Sequence, residues 1–449
     1  MSQALIGLSA VYMVRMLGLF MVLPVLSLAL DAYPDASAQS IGWALGIYGA
    51  SQGILQLPLA AWSDRIGRKP IIISGLLIFI LGSVIAGFSD SVWGIILGRA
   101  LQGAGAIAAT VMALLADLTP EDKRARAMAS IGASIGVAFA LAMVLGPWIY
   151  HLVGLSGLFY AGALLAVVAI LLVVLVVPSP PERLLHNDVK AAGIREVLTG
   201  AELLRAALGV FVLHGALMAI FLVVPTVLAN YDLVTQSQLS WFYLLIIGTS
   251  FVAMLPLIIL AEVKRRMRAA LRVAVLVLLA ATAVLFTSAS IEWLVLGLWL
   301  FFVGFNLSEA LLPSLVSKIA PAGRRGAAMG VFSTAQFTGA FFGAVTAGSA
   351  VAKFGPQAAY AVAFGGMALW GLCISFMAPV RYLTNVSWPV TADTPADELA
   401  LLAEISGVES VRFDAVSQRV YLKVDHPRFN AEEVDQRLRP TEHIRSSVN

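Results

Sequence analysis

Ser63-Asp64-Arg65-Ile66-Gly67-Arg68-Lys69-Pro70 lies between two long apolar runs and is the most informative part of this sequence. Its glycine permits a backbone reversal, and its three cations favour the cytoplasmic side of a membrane. Asp64 can interact with a helix N-terminus or an arginine, and Pro70 suits the first turn of a following helix. This segment therefore predicts a tight, charged turn between two membrane spans.

Composition indicates a polytopic membrane protein. The 449 residues are 60% hydrophobic and 12% charged, against about 25% charged for soluble proteins, and the mean hydropathy is +0.90. The single cysteine, Cys373, lies in an apolar run, which excludes disulfides and Cys-rich metal sites. No phosphate-binding Gly-x-x-x-x-Gly-Lys-Ser/Thr loop is present, which argues against a primary pump. We therefore expect no catalytic residue, cofactor, metal or nucleic-acid partner.

Twelve apolar windows of about 20 residues predict twelve transmembrane helices. Nearly all basic residues of the connecting loops follow spans 2, 4, 6, 8 and 10, whereas the loops after odd-numbered spans hold only Lys353. The positive-inside rule then places both termini in the cytoplasm. The lipid bilayer is thus a predicted partner.

An internal repeat predicts two six-helix halves. A shift of 201 residues aligns residues 20–24 with 221–225, and Pro120, Ala127 and Met128 with Pro321, Ala328 and Met329. Parallel repeats of this kind place a substrate site between the halves near the midplane. The predicted domains are residues 1–177, a linker with an interfacial helix at 178–205, residues 206–380, and a cytoplasmic tail at 381–449.

The order Asp-Arg-x-Gly-Arg-Lys-Pro at residues 64–70 resembles the loop between helices 2 and 3 of the major facilitator superfamily of secondary transporters. Residues 97–105 resemble its Arg-x-x-Gln-Gly pattern, and residues 15–24 and 261–265 resemble the YajR group of drug:proton-antiporter-like members. One departure is Ala60, where the family usually has glycine.

This resemblance implies two sets of functional residues. The conformational switch would comprise Asp64, Arg65, Gly67, Arg68, Lys69, Asp117 and Arg124, which hold the cytoplasmic side closed and release it when Asp64 is neutralised. The antiporter-type helix motif would comprise Gly136, Gly146 and Pro147 in span 5. The alternative, non-switching roles are a membrane-topology signal for the turn and a helix-end residue held by water for Asp117.

Burial of an ionisable side chain inside a membrane span costs free energy, and such residues are usually functional. Glu309 is the predicted carrier of the coupled proton, with His214 as a second candidate because histidine as a residue type can change charge near neutral pH. Arginine cannot release a proton in proteins, so Arg15 and Arg99 are not candidates for the proton carrier. We predict instead that they line the central cavity. Gln102 and Asn306 are assigned to the same cavity. Structural hydrogen bonds between helices remain the alternative for each of these residues.

The tail alternates strand and helix patterns in the order expected for a small ferredoxin-like domain. Strands are predicted at 383–390, 408–413 and 419–424, helices at 396–405 and 430–438, and a weak last strand near 443–447. Residues 407–411 resemble heavy-metal-associated modules but lack their Cys-x-x-Cys, which argues against metal delivery. Regulation, small-ligand sensing and self-association stay open as roles of this domain.

These features predict an all-α membrane protein of the major facilitator fold, with a small cytoplasmic α+β domain. The favoured function is proton-coupled export of small amphipathic compounds across the bacterial inner membrane by alternating access. Two alternatives stay open. One is a proton symporter that imports a small organic anion, and the other is a transporter-like membrane sensor that signals through the tail.

Overall fold

The computed structural model describes residues 3–438 except 120, 180–198, 230–237, 322–323, 381, 391–398, 400, 415–417 and 426–427. Two groups of helices form the membrane part. The first group comprises Gln3–Phe20, Leu26–Leu30, Ala38–Ile66, Arg68–Gly87, Val92–Ala104, Ala108–Asp117 and Glu121–Leu175. The second comprises Ala201–Ala229, Leu239–Glu262, Met267–Thr287, Ile291–Ile319, Arg325–Phe354 and Gln357–Ser375.

These helices make twelve spans in two halves of six, which confirms the predicted fold class. Nine helical stretches of the described residues are long and apolar enough to cross a membrane. One of them contains both span 5 and span 6, because its only non-helical residue is Gly154, with φ 69°. Span 1 (Gln3–Phe20 and Leu26–Leu30) and span 2 (Ala38–Ile66) complete the set.

Two spans of the first half are broken helices rather than the continuous ones that the sequence predicts. Span 1 leaves the helix over residues 21–25, around Pro24, and span 4 breaks between Ala104 and Ala108. Proline lacks an N–H and clashes with the preceding turn, which explains the first break. Broken backbone inside a membrane is tolerated where protein covers it, and Met21, Leu23 and Val25 are indeed buried.

We call the two ends of the helix bundle the tail end and the far end. The tail end holds the turn at residues 63–70 and the tail domain, and the far end holds the connections at 31–37 and 88–91. Contacts between the halves include two hydrogen bonds near the far end. Ser27 Oγ of span 1 donates to Phe221 O of span 7 at 2.8 Å, and Ser240 Oγ of span 8 donates to Val144 O of span 5 at 2.7 Å.

The tail forms a small α+β domain with its own apolar core. Strands β1 (Thr384–Pro389), β2 (Val408–Asp414) and β3 (Arg419–Val424) form an antiparallel sheet in the order β1-β3-β2. A 3₁₀ turn at Leu402–Glu404 and the helix Ala431–Leu438 accompany the sheet. This order agrees with the predicted ferredoxin-like domain. The weak last strand near 443–447 lies outside the described residues.

Most of the predicted linker also lies outside the described residues. The helix that contains span 7 begins at Ala201, and the interfacial helix stays a prediction. The domain boundaries at 177, 205 and 380 stay predictions.

Candidate functional site

Arg68 is the centre of the charged cluster at the first-half turn. Its side chain is 9% exposed, and its Nη2 lies 2.5 Å from Asp64 Oδ1, while Nε lies 2.9 Å from Asp117 Oδ2. Nη1 donates to Ser63 Oγ at 2.7 Å. Arg68 is the first residue of span 3 and Asp117 is the last helical residue of span 4. The guanidinium therefore ties the ends of spans 2, 3 and 4 together through charge-assisted hydrogen bonds.

The other predicted switch residues lie close to this cluster in the sequence. Gly67 reverses the chain with φ 107°, a conformation that favours glycine. Arg65 is exposed and Lys69 is partly exposed. The side chain of Arg124 lies outside the described part of the chain. Ala60 O, at the departure from the family pattern, accepts from Arg68 Nη1 at 3.3 Å.

The second half carries a charge-reversed cluster at the corresponding place. The 201-residue shift aligns Asp117 with Lys318. Lys318 Nζ lies 2.7 Å from Glu262 Oε2. Tyr382, just before the tail sheet, donates to Ala261 O at 2.5 Å and stacks under Lys318, whose Nζ is 5.1 Å from the ring centroid. Burial raises the pKa of Tyr382, which keeps its hydroxyl a neutral donor.

Lys423 of β3 also reaches the membrane part, and its Nζ donates to Ala320 O at the end of span 10 at 3.0 Å. Together with Tyr382, it joins the tail domain to the second half of the membrane part. This joint was not predicted, since no pattern in a single chain pairs a tail lysine with a helix end.

Arg15 and Arg99 lie inside the first half, and each is 1% exposed. Arg15 Nη2 donates to Tyr48 Oη at 2.8 Å and to Gln52 Oε1 at 2.7 Å. Arg99 Cζ lies 5.2 Å from the centroid of the same tyrosine ring, within the range of a cation–π interaction. The two arginines thus share one aromatic residue of span 2.

Polar partners hold the two remaining cavity candidates. Gln102 accepts from Arg99 at 3.3 Å and donates to Ser83 Oγ at 2.8 Å, which links spans 3 and 4. Asn306 donates to Ser250 Oγ at 2.9 Å, which links spans 10 and 8. The assignment of Arg15, Arg99, Gln102 and Asn306 to the substrate cavity stays a prediction.

The antiporter-type motif lies in span 5. Gly146 packs on the broken part of span 1, where an added Cβ would overlap the backbone of Met21. Pro147 follows inside the same helix. Gly136, towards the tail end, has open space where its Cβ would be. The motif therefore makes a close helix contact at Gly146 and none of that kind with the described residues at Gly136.

His214 and Glu309 come together in the second half, from spans 7 and 10. His214 Nε2 lies 3.7 Å from Glu309 Oε2, and Gln336 of span 11 approaches both side chains. The side chains of His214 and Glu309 are 12% and 33% exposed. Phe305, one turn before Glu309, packs its ring edge-to-face on the imidazole at 5.6 Å. Two titratable groups therefore share a partly buried, largely apolar surrounding.

Close packing of spans 7 and 11 positions this pair. A Cβ on Gly343 would overlap the backbone of Gly215, and a Cβ on Gly339 would overlap that of Phe211. The two backbones approach at these glycines, so Gln336 of span 11 can reach His214 directly. Gln336 was missed from sequence, because a lone amide in an apolar span has many possible partners.

Comparisons with known proteins agree with this architecture. The family model of the Major Facilitator Superfamily matches residues 8–344. The chain belongs to the major facilitator superfamily. It is 43% identical to the inner membrane transport protein YajR of Escherichia coli K12 over 438 residues, 96% of each chain. This chain is therefore a membrane transporter and not an enzyme.

Two further similarities are weaker or cover less of the chain. Over 133 residues, 29% of this chain and 33% of its relative, it is 32% identical to the class E tetracycline resistance protein of Escherichia coli. A solved structure of the nucleoside transporter NupG superposes with a TM-score of 0.64 at 14% identity, covering 83% of this chain and 99% of that one. The second similarity concerns the fold alone.

Proposed function

We propose that this superfamily member is a proton-coupled exporter of small amphipathic compounds in the bacterial inner membrane, with both termini cytoplasmic. The observation that carries the proposal is the pairing of Glu309 with His214 inside the second half, 3.7 Å apart. An acidic side chain inside a membrane costs free energy and is usually functional. Glu309 lies beside a second titratable group, His214. The relative named as an inner membrane transport protein supports the location.

The two clusters at the tail end support alternating access. Arg68 ties the first-half span ends together, and Lys318 does so in the second half. Each half thus forms a connected unit at this end, which suits rocking of one half against the other. Protonation of Glu309 would remove a charge inside the second half and bias the relative position of the two halves.

Transport in vesicles of known orientation tests this proposal. Everted membrane vesicles carrying the protein should accumulate tetracycline or ethidium when their interior is acidified, and collapse of the pH gradient should release it. Vesicles with a Glu309→Gln variant serve as the matched control. Uptake in the opposite direction, or none with either probe and a pH gradient, would contradict the proposed export.

A second candidate function is import of a small organic anion with protons. Arg15 and Arg99 are buried without a carboxylate at salt-bridge distance among the described residues. Arg15 Nε and Nη1 are buried and have no hydrogen-bond partner there. Two such cations favour an anion over a cation at that place. Accumulation of a labelled carboxylate in right-side-out vesicles would favour import.

The tail domain should fold on its own and be dispensable for the transport step. Its apolar core, which includes Leu402, Val420, Leu422 and Val434, is separate from those of the membrane part. The fragment 381–449 should unfold cooperatively and give α+β circular dichroism, and a chain ending at residue 380 should still transport. A disordered fragment, or a truncated protein that inserts normally but moves no substrate, would contradict this. A ligand-dependent change in the tail without any flux would instead indicate a sensor.

A further inference from the structure

The amide of Gln336 lies between the two titratable groups of the second half. Its Nε2 is 2.7 Å from His214 Nε2 and 3.4 Å from Glu309 Oε1. The direct distance from His214 Nε2 to Glu309 Oε2 is 3.7 Å, which is too long for a hydrogen bond. Imidazole and carboxylate are therefore connected through the amide rather than to each other.

The hydrogen bonds of His214 fix where its proton lies. On one side of the ring, Nδ1 is 3.2 Å from Val210 O. A carbonyl oxygen only accepts, so Nδ1 carries the hydrogen. On the other side, the amide nitrogen of Gln336 faces the ring, the orientation that also gives Glu309 Oε1 a donor. An amide nitrogen only donates, so in this orientation His214 Nε2 is the acceptor. A doubly protonated imidazole would place two donors face to face at 2.7 Å. This arrangement therefore requires a neutral His214.

Glu309 is not restricted in the same way. Its Oε1 accepts from Gln336, and the carbonyl oxygen of a protonated carboxyl group accepts equally well. Its Oε2 is buried and has no hydrogen-bond partner among the described residues. A proton can therefore be added at Oε2 without breaking a contact of this network.

The charged groups that the described contacts connect to this network belong to the first half. Phe337, next to Gln336, packs its ring on Tyr48 at 6.4 Å, and Tyr48 contacts Arg15 and Arg99 in turn. Within the described ranges, no ion pair joins these arginines to Glu309 or His214. The direct contacts that bear on the proton position are therefore those among His214, Gln336 and Glu309.

We infer that Gln336 is a positioning residue that holds His214 neutral and thereby assigns the coupled proton to Oε2 of Glu309. The inference rests on the proposed proton coupling and specifies its carrier. The step is the transfer of one proton from water to the Glu309 carboxylate and back, so it requires no other reactant. Without the amide, the imidazole can protonate and form an ion pair with the carboxylate.

Spectroscopy on the full-length protein tests this without any transport assay. ¹⁵N-histidine spectra report the protonation of His214, assigned by difference from His214→Asn. Infrared difference spectra on acidification report the carboxyl C=O band of Glu309, assigned by its loss in Glu309→Gln. The wild-type protein should gain the carboxyl band while His214 stays in the neutral, Nδ1-protonated form.

Gln336→Met removes the amide at nearly constant volume and is the decisive variant. Acidification should now protonate His214 at both nitrogens, and most of the Glu309 carboxyl band should be lost. Thr338→Val, two residues further along span 11, removes a hydroxyl that bonds within its own helix. It is the matched control and should behave like wild type. Protonation of His214 before Glu309 in the wild type, or unchanged spectra in a folded Gln336→Met variant, would overturn the inference. If that variant does not fold, the wild-type spectra alone decide.

Flux measurements separate this inference from the proposed function. In the wild-type protein, flux of tetracycline or ethidium should follow the pH gradient. Absence of any such flux in the wild type would contradict the proposed coupling. The spectra would still show whether Gln336 keeps His214 neutral.

Discussion

Replacement of Glu309 by glutamine should abolish pH-gradient-driven transport while substrate binding largely survives. Glutamine keeps the size of the side chain and can still accept from Gln336, but it cannot take up a proton. Flux of tetracycline or ethidium in everted vesicles should fall to the level of vesicles without the protein. Ligand-induced thermal stabilisation measures binding separately, because a ligand of the folded state raises its apparent stability.

Glu292→Gln is the matched control for this experiment. Glu292 lies in the first turn of the same span, at the exposed far end, and hydrogen-bonds Ser290. The same chemical change there should leave flux unchanged. Wild-type proton-coupled flux in Glu309→Gln would contradict the assignment, and the proton would then have to be carried by His214 or by a carboxylate at the membrane boundary.

The turn at residues 63–70 shows what a single sequence predicts well. A glycine required for positive φ, cations and an acid stand within eight residues, so local chemistry alone fixes the reversal and the charge cluster. The pairing of Arg68 with Asp117 was predictable only through the family resemblance. The hydroxyl of Ser63, which accepts from Arg68 at 2.7 Å, was missed, since a serine before an acid has no distinctive pattern.

The interior of the bundle was predicted less completely, and the reason is physical. Span 1 is apolar on all sides, so its sequence does not show which face holds the cavity, and Arg15 is packed against span 2 inside the first half. Gln336 finds its partners on spans 7 and 10, which are distant in sequence. Such contacts follow from the packing of several helices and leave no local signal.

The contacts of Arg68 indicate that Asp64 affects the conformational equilibrium more than the folding of the protein. Arg68 keeps hydrogen bonds to Asp117 and Ser63 even when Asp64 is neutral, so Asp64→Asn should express and fold. It nevertheless removes one of the two carboxylates around a nearly buried guanidinium, whose attraction is stronger than at a fully exposed site. The effect should therefore appear in the conformational equilibrium rather than in the amount of folded protein.

Neutralising Asp64 should open the tail end and slow turnover. An exposed ion pair contributes about 0.2–1 kcal/mol, a less exposed one such as Asp64–Arg68 contributes more, and about 1.4 kcal/mol corresponds to a tenfold change in a population ratio. In a Cys373→Ala background, a cysteine at exposed Ala133 on the tail-end part of span 5 should label faster in Asp64→Asn. A cysteine at Leu28, packed at the far end, should label more slowly. Asp90→Asn, an exposed far-end acid, is the matched control and should change neither rate. Equal labelling at Ala133 with and without the Asp64 charge would reduce the turn to a signal for membrane topology.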